Sequence, residues 1–219
     1  MKLTKSEFLR HVDHSLLKPQ LTKQEVLEGL HFAKENHCAS VCINPCNLDL
    51  AYEILHGTDV KIGTVIGFPS GAHTTFSKVA EAKDAYAKGA AELDMVIDIG
   101  ALKNREVDKV KDDINAVVNA TPCIVKVILE NCFLTKEEIA LGSKLVEEAG
   151  AAYVKTSTGF APGGATVEDI RLMKESVSKE MKIKAAGGIH TLEECLKLID
   201  AGADRIGISR TQEIIKEFN

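Results

Sequence analysis

The architecture can be read from the segment Ala149-Gly150-Ala151-Ala152-Tyr153-Val154-Lys155, which joins the end of a helix-like pattern to a short apolar run. The glycine is placed to end the helix in the left-handed conformation before a strand begins. The same sequence pattern occurs twice more, where Lys88-Gly89-Ala90-Ala91 precedes residues 92–97 and where Ala201-Gly202-Ala203 precedes residues 204–208. A repeated helix-to-strand unit predicts alternating α and β elements.

Helix starts are marked by a threonine that is followed three residues later by an acidic residue. At this spacing the hydroxyl and the carboxylate can each accept a hydrogen bond from a backbone N–H group of the first turn. We therefore predict five helix N-termini, at the pairs Thr4/Glu7, Thr22/Glu25, Thr135/Glu138, Thr166/Asp169 and Thr191/Glu194.

Eight segments have the composition of buried strands. They are residues 12–15, 40–43, 61–67, 92–97, 123–129, 152–156, 183–187 and 205–209. Helical patterns separate them, which indicates a parallel sheet, and eight such units can close into a (β/α)₈ TIM barrel. Residues 4–10 would form an extra N-terminal helix at the bottom of the barrel. We expect a single domain over residues 1–219, and an open doubly wound sheet is the alternative.

Composition argues against several classes of partner. The net charge is −5, from 27 basic and 32 acidic residues in 219 positions, whereas a nucleic-acid-binding protein needs a basic patch. The first residues contain no apolar signal segment, and no apolar run reaches the length of a membrane span. We therefore expect no nucleic-acid partner, no membrane association and a cytoplasmic location.

Three of the six cysteines, Cys38, Cys42 and Cys46, lie four residues apart and raise the hypothesis of a metal or iron–sulfur site. Their spacing matches none of the usual ligand patterns, and Asn44-Pro45 interrupts the segment. Reduced thiols are the better interpretation. The seven histidines are scattered, which disfavours a zinc site, so we expect neither a metal nor another cofactor.

Three lysines interrupt the apolar strands at regular distances. Lys126, Lys155 and Lys184 are separated by 29 and 29 residues, and Asp94 lies 32 residues before Lys126. Equivalent positions recur once per β/α unit, so these side chains should line neighbouring strands at similar heights inside the barrel. Burial and neighbouring positive charges lower the pKa of an ammonium group, so one lysine should be neutral near pH 7 and nucleophilic. Asp94 would balance the charge and transfer protons through a water.

Two glycine-containing segments end the seventh and eighth strands, Ala186-Gly187-Gly188-Ile189 and Gly207-Ile208-Ser209. Barrels commonly bind phosphate with the loops after these two strands, because backbone N–H groups can approach the anion where no side chain intervenes. Their position favours a phosphate-binding role over an ordinary turn.

Together these motifs resemble those of the deoxyribose-phosphate aldolases, a class I aldolase family with a (β/α)₈ fold. The resemblance covers nearly the whole chain. It is carried by residues 13–17, 41–45, 64–69, 92–97, 125–130, 155–160 and 184–189. It implies reversible cleavage of 2-deoxy-D-ribose 5-phosphate into acetaldehyde and D-glyceraldehyde 3-phosphate, without a metal, in deoxynucleoside catabolism.

The resemblance also implies a role for each residue of the site. Lys155 would form the Schiff base, Lys184 would be the second catalytic lysine that perturbs it, and Asp94 would be the proton relay. The supporting and substrate-binding residues would be Lys126, Asp13, Cys42 and Thr158, and the phosphate-binding residues would be Gly159, Gly187, Gly188, Gly207 and Ser209. Relatives are often dimers or higher homo-oligomers.

The chain departs from the family pattern in three places. Arg210 stands where relatives often have a second small hydroxyl residue, and His190 stands where some have arginine. Arg210 could supply positive charge to the phosphate or point to solvent. Longer relatives end in a tyrosine that helps proton transfer, so that contribution should be absent or replaced here. A class I lyase of the transaldolase or fructose-bisphosphate type and a non-enzymatic phosphate-binding barrel remain alternatives.

Overall fold

The computed structural model describes residues 3–218 and shows, within them, a closed barrel of eight parallel strands in which β8 pairs back to β1. The strands are β1 (Val12–Leu16), β2 (Ser40–Ile43), β3 (Lys61–Ile66), β4 (Glu92–Val96), β5 (Ile124–Ile128), β6 (Tyr153–Lys155), β7 (Lys182–Ala186) and β8 (Arg205–Ile208). Each predicted strand is present, with ends that differ by at most one residue. The prediction of a TIM barrel is confirmed, and the doubly wound alternative is wrong.

Helices alternate with the strands of the barrel. They are α1 (Lys5–Leu9), α2 (Lys23–Glu35), α3 (Leu48–Leu55), α4 (Thr75–Ala87), α5 (Ile99–Lys103), α6 (Val107–Val118), α7 (Lys136–Glu148), α8 (Val167–Ser176), α9 (Leu192–Asp200) and α10 (Thr211–Ile214). Helices α2 to α9 connect successive strands and form the outer layer of the barrel, while α1 precedes β1 and α10 follows β8. Across residues 3–218, none of them has the length and apolar character needed to cross a membrane.

Four of the five predicted capping boxes are complete, at Thr4, Thr22, Thr135 and Thr191. At the fifth, the Thr166 hydroxyl accepts a hydrogen bond from the backbone N–H of Asp169 at 3.0 Å, and the Asp169 carboxylate pairs with Lys136 instead. An aspartate side chain is one methylene shorter than a glutamate, which explains why the reciprocal bond is missing here.

The extra N-terminal helix, α1, lies at the end of the barrel where the strands begin. Its residues Phe8 and Leu9 are buried. The carbonyl oxygen of Leu9 accepts a hydrogen bond at 3.0 Å from the N–H of Ala39, which directly precedes β2. The Phe8 ring lies 5.3 Å from the ring of Phe218, so α1 also holds the C-terminal segment against the barrel.

The apolar core lies between the sheet and the helices, because strand side chains alternate between the outside and the inside of the barrel. Val125, Val127, Val154 and Ile183 belong to this outer core. The positions between them point inward, so the interior holds charged side chains in place of a wholly apolar filling.

The hydrogen-bond register explains how residues from four strands meet inside. Asp94 pairs with Lys126, and Lys155 pairs with Lys184, but between β5 and β6 the partner of Lys155 is Ile128. Strands of a barrel are tilted against its axis, so hydrogen-bonded neighbours do not lie at the same height along it. The two-residue step between Lys126 and Lys155 compensates for the tilt and keeps the four charged side chains together.

Candidate active site

Asp94 is the centre of the interior charge cluster. Its Oδ1 lies 2.9 Å from Nζ of Lys126, and its Oδ2 lies 2.7 Å from Nζ of Lys155 and 2.6 Å from Nζ of Lys184. All four side chains are at least 97% buried, since Lys155 is the most exposed of them at 3%. The structure therefore brings together the four residues that the sequence spacing had grouped.

The three lysines differ in their affinity for a proton. Burial, followed by the positive charge of Lys184, lowers the pKa of Lys155 despite the opposing effect of Asp94. Burial would lower the pKa values of Lys126 and Lys184 as well, but the carboxylates of Asp13 and Asp94 outweigh it and raise both. Among these lysines, Lys155 is thus the amine that loses its proton most readily.

Asp94 remains a carboxylate under the same conditions. Burial alone would raise the pKa of its carboxyl group, but the charges of Lys126, Lys155 and Lys184 hold it well below its usual range. Because one oxygen, Oδ2, contacts both Lys155 and Lys184, Asp94 provides a direct hydrogen-bonded route between the two amines.

A cavity of about 350 Å³ opens above this cluster, at the C-terminal ends of the strands. Lys155 lines it, whereas Lys126 and Lys184 lie outside its wall. Of the remaining predicted residues, the cavity wall includes Thr158, Gly159, Gly187, Gly188, Gly207 and Ser209. The amine with the lowered pKa is therefore the one that a small molecule in the cavity can reach.

Glycines at the ends of β7 and β8 bring the backbone close to the cavity. Gly187 and Gly188 have φ angles of +83° and +69°, which L side chains rarely adopt. A Cβ atom at Gly207 would lie 3.2 Å from Cε of Lys184, so a larger residue would press on the second lysine. The hydroxyl of Thr156 ties the ends of β6 and β7 together by donating to the carbonyl of Ala186 at 3.0 Å.

Asp13 and Cys42 lie inside the barrel beneath the cavity wall. Asp13 Oδ2 is 2.6 Å from Nζ of Lys184, and Cys42 Sγ is 3.9 Å from Oδ2 of Asp94. Burial, reinforced by the charge of Asp94, raises the pKa of the Cys42 thiol to about 11. Cys42 is consequently a neutral thiol at neutral pH, packed against Leu17 and Val65.

Thr158 is held by a residue that the sequence reasoning missed. Its hydroxyl donates to the buried carboxylate of Glu130, and its backbone N–H lies 3.2 Å from Oε1 of the same group. Glu130 lies two residues after the end of β5 and has a φ of +58°. Its position after the strand that carries Lys126 could have predicted a place in the site, since residues that follow barrel strands surround the mouth.

The structure shows which basic residues near the mouth line the cavity, and this bears on the departures from the family pattern at His190 and Arg210. His190 lines the cavity and so does Lys18, which the sequence reasoning did not consider. Arg210 is exposed and lies outside the cavity wall. The structure therefore favours the solvent-facing alternative for Arg210, and it places two other basic residues, Lys18 and His190, in the cavity wall.

Glu92 and Arg205 extend the charge cluster one layer deeper, and both were missed. Glu92 Oε2 lies 2.6 Å from Nζ of Lys126, and its Oε1 lies 2.9 Å from Nη2 of Arg205. Arg205 also pairs with Asp13. The alternation of β4 could have found Glu92, which is two residues before Asp94 and so points to the same side.

Cys38, Cys42 and Cys46 are free thiols, as are the other three cysteines. Cys38 and Cys42 are buried, while Cys46 is exposed. Within the part of the chain that the structure describes, no group of three or more His, Cys, Asp and Glu side chains is arranged to hold a metal ion.

Comparison with known proteins agrees with this geometry. The profile of the DeoC/LacD family aldolases matches residues 8–211. This chain belongs to that family. It is 52% identical over 212 residues to the deoxyribose-phosphate aldolase of Thermoanaerobacter sp. (strain X514), covering 95% of each chain.

Solved structures place this aldolase in the same group. A structure from Coccidioides immitis, described as a candidate deoxyribose-phosphate aldolase, superposes with a TM-score of 0.95 at 41% identity, covering 98% of this chain and 87% of the other. The tetrameric deoxyribose phosphate aldolase of Aeropyrum pernix has a TM-score of 0.91 at 27% identity, covering 98% of this chain and 92% of the other. The resemblance seen in the sequence motifs is thereby confirmed, and the aldolase is a carbon–carbon lyase.

Proposed function

We propose that this aldolase reversibly cleaves 2-deoxy-D-ribose 5-phosphate into acetaldehyde and D-glyceraldehyde 3-phosphate through a Schiff base on Lys155. The observation that carries the proposal is the placement of Lys155 in the cavity wall, with a lowered pKa and its Nζ 2.7 Å from Asp94. A neutral primary amine in such a site can attack a carbonyl carbon.

The chemistry follows from the cluster. Nζ of Lys155 adds to C1 of the open-chain sugar, and loss of water leaves an iminium ion whose positive charge lies beside the Asp94 carboxylate. Removal of the C3 hydroxyl proton lets the C2–C3 bond break, and its electrons enter the iminium ion to give an enamine and D-glyceraldehyde 3-phosphate. Protonation of the enamine carbon and hydrolysis release acetaldehyde and free Lys155.

Asp94 and Lys184 fit the proton steps. Oδ2 of Asp94 contacts both Lys155 and Lys184, so a proton that leaves one amine has a short path to the other groups of the cluster. Lys184 has a raised pKa and stays cationic. We assign Lys184 the task of keeping Lys155 neutral in the free enzyme and Asp94 the task of relaying protons.

The experiment is covalent trapping. Incubation with acetaldehyde and sodium borohydride should add one ethyl group to the protein, and peptide mass spectrometry should locate it on Lys155. Borohydride without aldehyde is the control. A different class I lyase would trap acetaldehyde poorly while acting on other phosphorylated sugars, and a barrel that merely binds phosphate would not be modified at all.

The phosphate end is tested with substrates that differ in the phosphate alone. Truncated substrates lose binding energy that positions the reacting centre, so 2-deoxyribose should be cleaved far less efficiently than its 5-phosphate. Gly188→Asp should reduce this preference in kcat/KM by about tenfold, or about 1.4 kcal/mol, because a carboxylate would face the phosphate.

Gly188→Asn is the matched control, since it imposes the same backbone strain at a φ of +69° without the charge. Equal preferences in the two variants would place the phosphate elsewhere.

Three further predictions remain open. We propose a cytoplasmic location, in keeping with six free cysteines, and one domain over the whole chain. We also propose a homo-oligomer, because the Aeropyrum pernix relative is described as tetrameric. Light scattering coupled to size exclusion would measure the assembly directly.

A further inference from the structure

We propose that Glu92 and Arg205 are positioning residues that set the ionisation state of Lys155 from the layer of the barrel beneath it. The inference rests on the proposed Schiff-base function, which defines Lys155 as the group whose protonation matters. It deepens that function by assigning a role to two side chains that touch neither the cavity nor the substrate.

The contacts connect Arg205 to Lys126 and Lys184, the two lysines whose pKa values are raised. Glu92 bridges Arg205 and Lys126, at 2.9 and 2.6 Å. Asp13 bridges Arg205 and Lys184, and its oxygen lies 2.6 Å from Nζ of the latter. Arg205 therefore shares one carboxylate with Lys126 and another with Lys184, and both of these lysines contact Asp94.

Burial makes the charge of this layer matter at a distance. Glu92 and Asp13 are 0% exposed and Lys126 is 1% exposed, and the side chain of Arg205 is 14% exposed. Buried charges are screened by salt and water much less than surface charges. Adding or removing a unit charge in this layer should therefore shift the pKa of Lys155.

The cluster contains one more basic group than it has carboxylates. Three carboxylates, those of Asp13, Glu92 and Asp94, face four basic groups, which are Lys126, Lys155, Lys184 and Arg205. The interior is neutral overall when one of the four basic groups loses its proton. The guanidinium does not do so, and the pKa values of Lys126 and Lys184 are raised. The neutral group is therefore Lys155.

Other groups that face these residues do not change the count. Besides Asp94 and Lys184, the Cys42 thiol acts on Lys155, and its raised pKa of about 11 keeps it neutral. The centre of the Tyr153 ring lies 6.0 Å from Nζ of Lys126, and the same side chain also faces Arg205.

The competing explanation is that Glu92 and Arg205 form a structural ion pair. Under that explanation, removing either charge would lower stability and leave the pH dependence of the reaction in place. A role in setting the proton affinity of Lys155 makes a different prediction, because the two residues carry opposite charges and must act in opposite directions.

The experiment measures kcat/KM against pH, which reports the ionisations of the free enzyme. Activity should rise with pH as Lys155 loses its proton. Arg205→Gln should move this acidic limb to higher pH, and Glu92→Gln should move it to lower pH. Each shift should be about one pH unit, the effect of a unit charge about 10 Å away at an effective dielectric constant of about 20.

Two further variants complete the design. The double variant Glu92→Gln/Arg205→Gln restores the charge count, so its limb should return to the wild-type position. Arg205→Lys keeps the charge and should leave the limb nearly unmoved. Shifts of the same sign in both single variants, unmoved limbs, or loss of folding in both would overturn the proposal in favour of a structural role.

Borohydride trapping of the wild-type chain with acetaldehyde separates this proposal from the proposed function. If the wild type is not trapped on Lys155, the function itself is wrong. If it is trapped and the limbs do not move in opposite directions, the function stands and the assignment of Glu92 and Arg205 is wrong.

Discussion

Buried lysines occur in two regions of this molecule, and they are balanced differently. Between α4 and α6, Lys78 is fully buried and lies 2.6 Å from Oδ2 of Asp113, with Val96 accepting a further hydrogen bond at 3.0 Å. The other oxygen of Asp113 accepts from the Thr75 hydroxyl at 2.7 Å. Each charge of this pair has one opposite charge, so neither is in excess.

Inside the barrel, by contrast, four basic groups share three carboxylates. With all four protonated, one positive charge would be in excess, and Lys155, which lines the cavity, is the group that loses its proton most readily. The two regions show that burial alone does not make a lysine reactive. A balanced pair stabilises the fold, whereas an unbalanced cluster leaves one amine that can lose its proton near neutrality.

The largest effect should come from the unbalanced cluster. Lys155→Ala removes the only amine proposed to attack the carbonyl, so kcat/KM for cleavage should fall on the order of 10³-fold or more. Trapping by borohydride should vanish with it. Lys155→Arg should be equally inactive, because a guanidinium stays protonated and cannot add to the carbonyl. Retention of even a tenth of the wild-type trapping in either variant would contradict the assignment.

The balanced pair should respond in stability and not in chemistry. Lys78→Met leaves the Asp113 carboxylate buried without its partner, which should lower the free energy of unfolding by about 3–5 kcal/mol. Urea unfolding measures this, and trapping on Lys155 should persist in the folded fraction. Lys78→Met/Asp113→Leu is the control, since removing both charges should recover much of the loss. A large drop in trapping per folded molecule would show that Lys78 also affects the chemistry of Lys155, contrary to this prediction.

The second lysine of the cluster tests whether its charge acts on the first. Lys184→Leu removes a positive charge that lowers the pKa of Lys155, so the acidic limb of kcat/KM should move to higher pH by about one unit. The rate at neutral pH should fall on the order of 100-fold. Circular dichroism checks that the barrel is intact. A limb that stays in place would show that Lys184 does not perturb Lys155.

A smaller effect, on the pH dependence of stability, should come from His14. Within residues 3–218, this buried imidazole has no charged partner in direct contact. His14 on β1 points out of the barrel, where its Nδ1 lies 2.9 Å from the hydroxyl of Thr211. Burial lowers its pKa to about 4, with a weak opposing effect of Glu213. In the unfolded chain the ordinary pKa is about 6.5, so between these two values the unfolded state binds more protons.

The contribution of neutral His14 to stability is therefore complete above about pH 6.5 and is lost as the pH falls towards 4. Between pH 7 and pH 5 the free energy of unfolding should drop by about 2 kcal/mol on this account. His14→Gln keeps a hydrogen-bonding side chain that does not titrate. Unfolding curves at the two pH values should show a smaller drop in the variant, and identical drops would mean that His14 is not the responsible group.

Much of the site could be predicted from the sequence because it lies in regular strands. Lys126, Lys155 and Lys184 recur once per unit, and strand alternation forces equivalent positions to the same side of the sheet. The glycines at the ends of β7 and β8 were found for the same reason, since their place in the chain fixes their place at the mouth. Glu92 and Arg205 were missed because charged residues near strand starts are also common on surfaces.

The amino-acid sequence by itself determined the alternation of elements, their approximate boundaries and the inward position of the three lysines and Asp94, since these depend on local periodicity and capping. It did not determine the partner of Lys155 on β5, which is Ile128, because register depends on the closure and tilt of all eight strands. Nor did it determine which lysine is neutral. That depends on the distances between Asp13, Glu92 and Asp94 and the bases that share them, and such distances exist only once the barrel has closed.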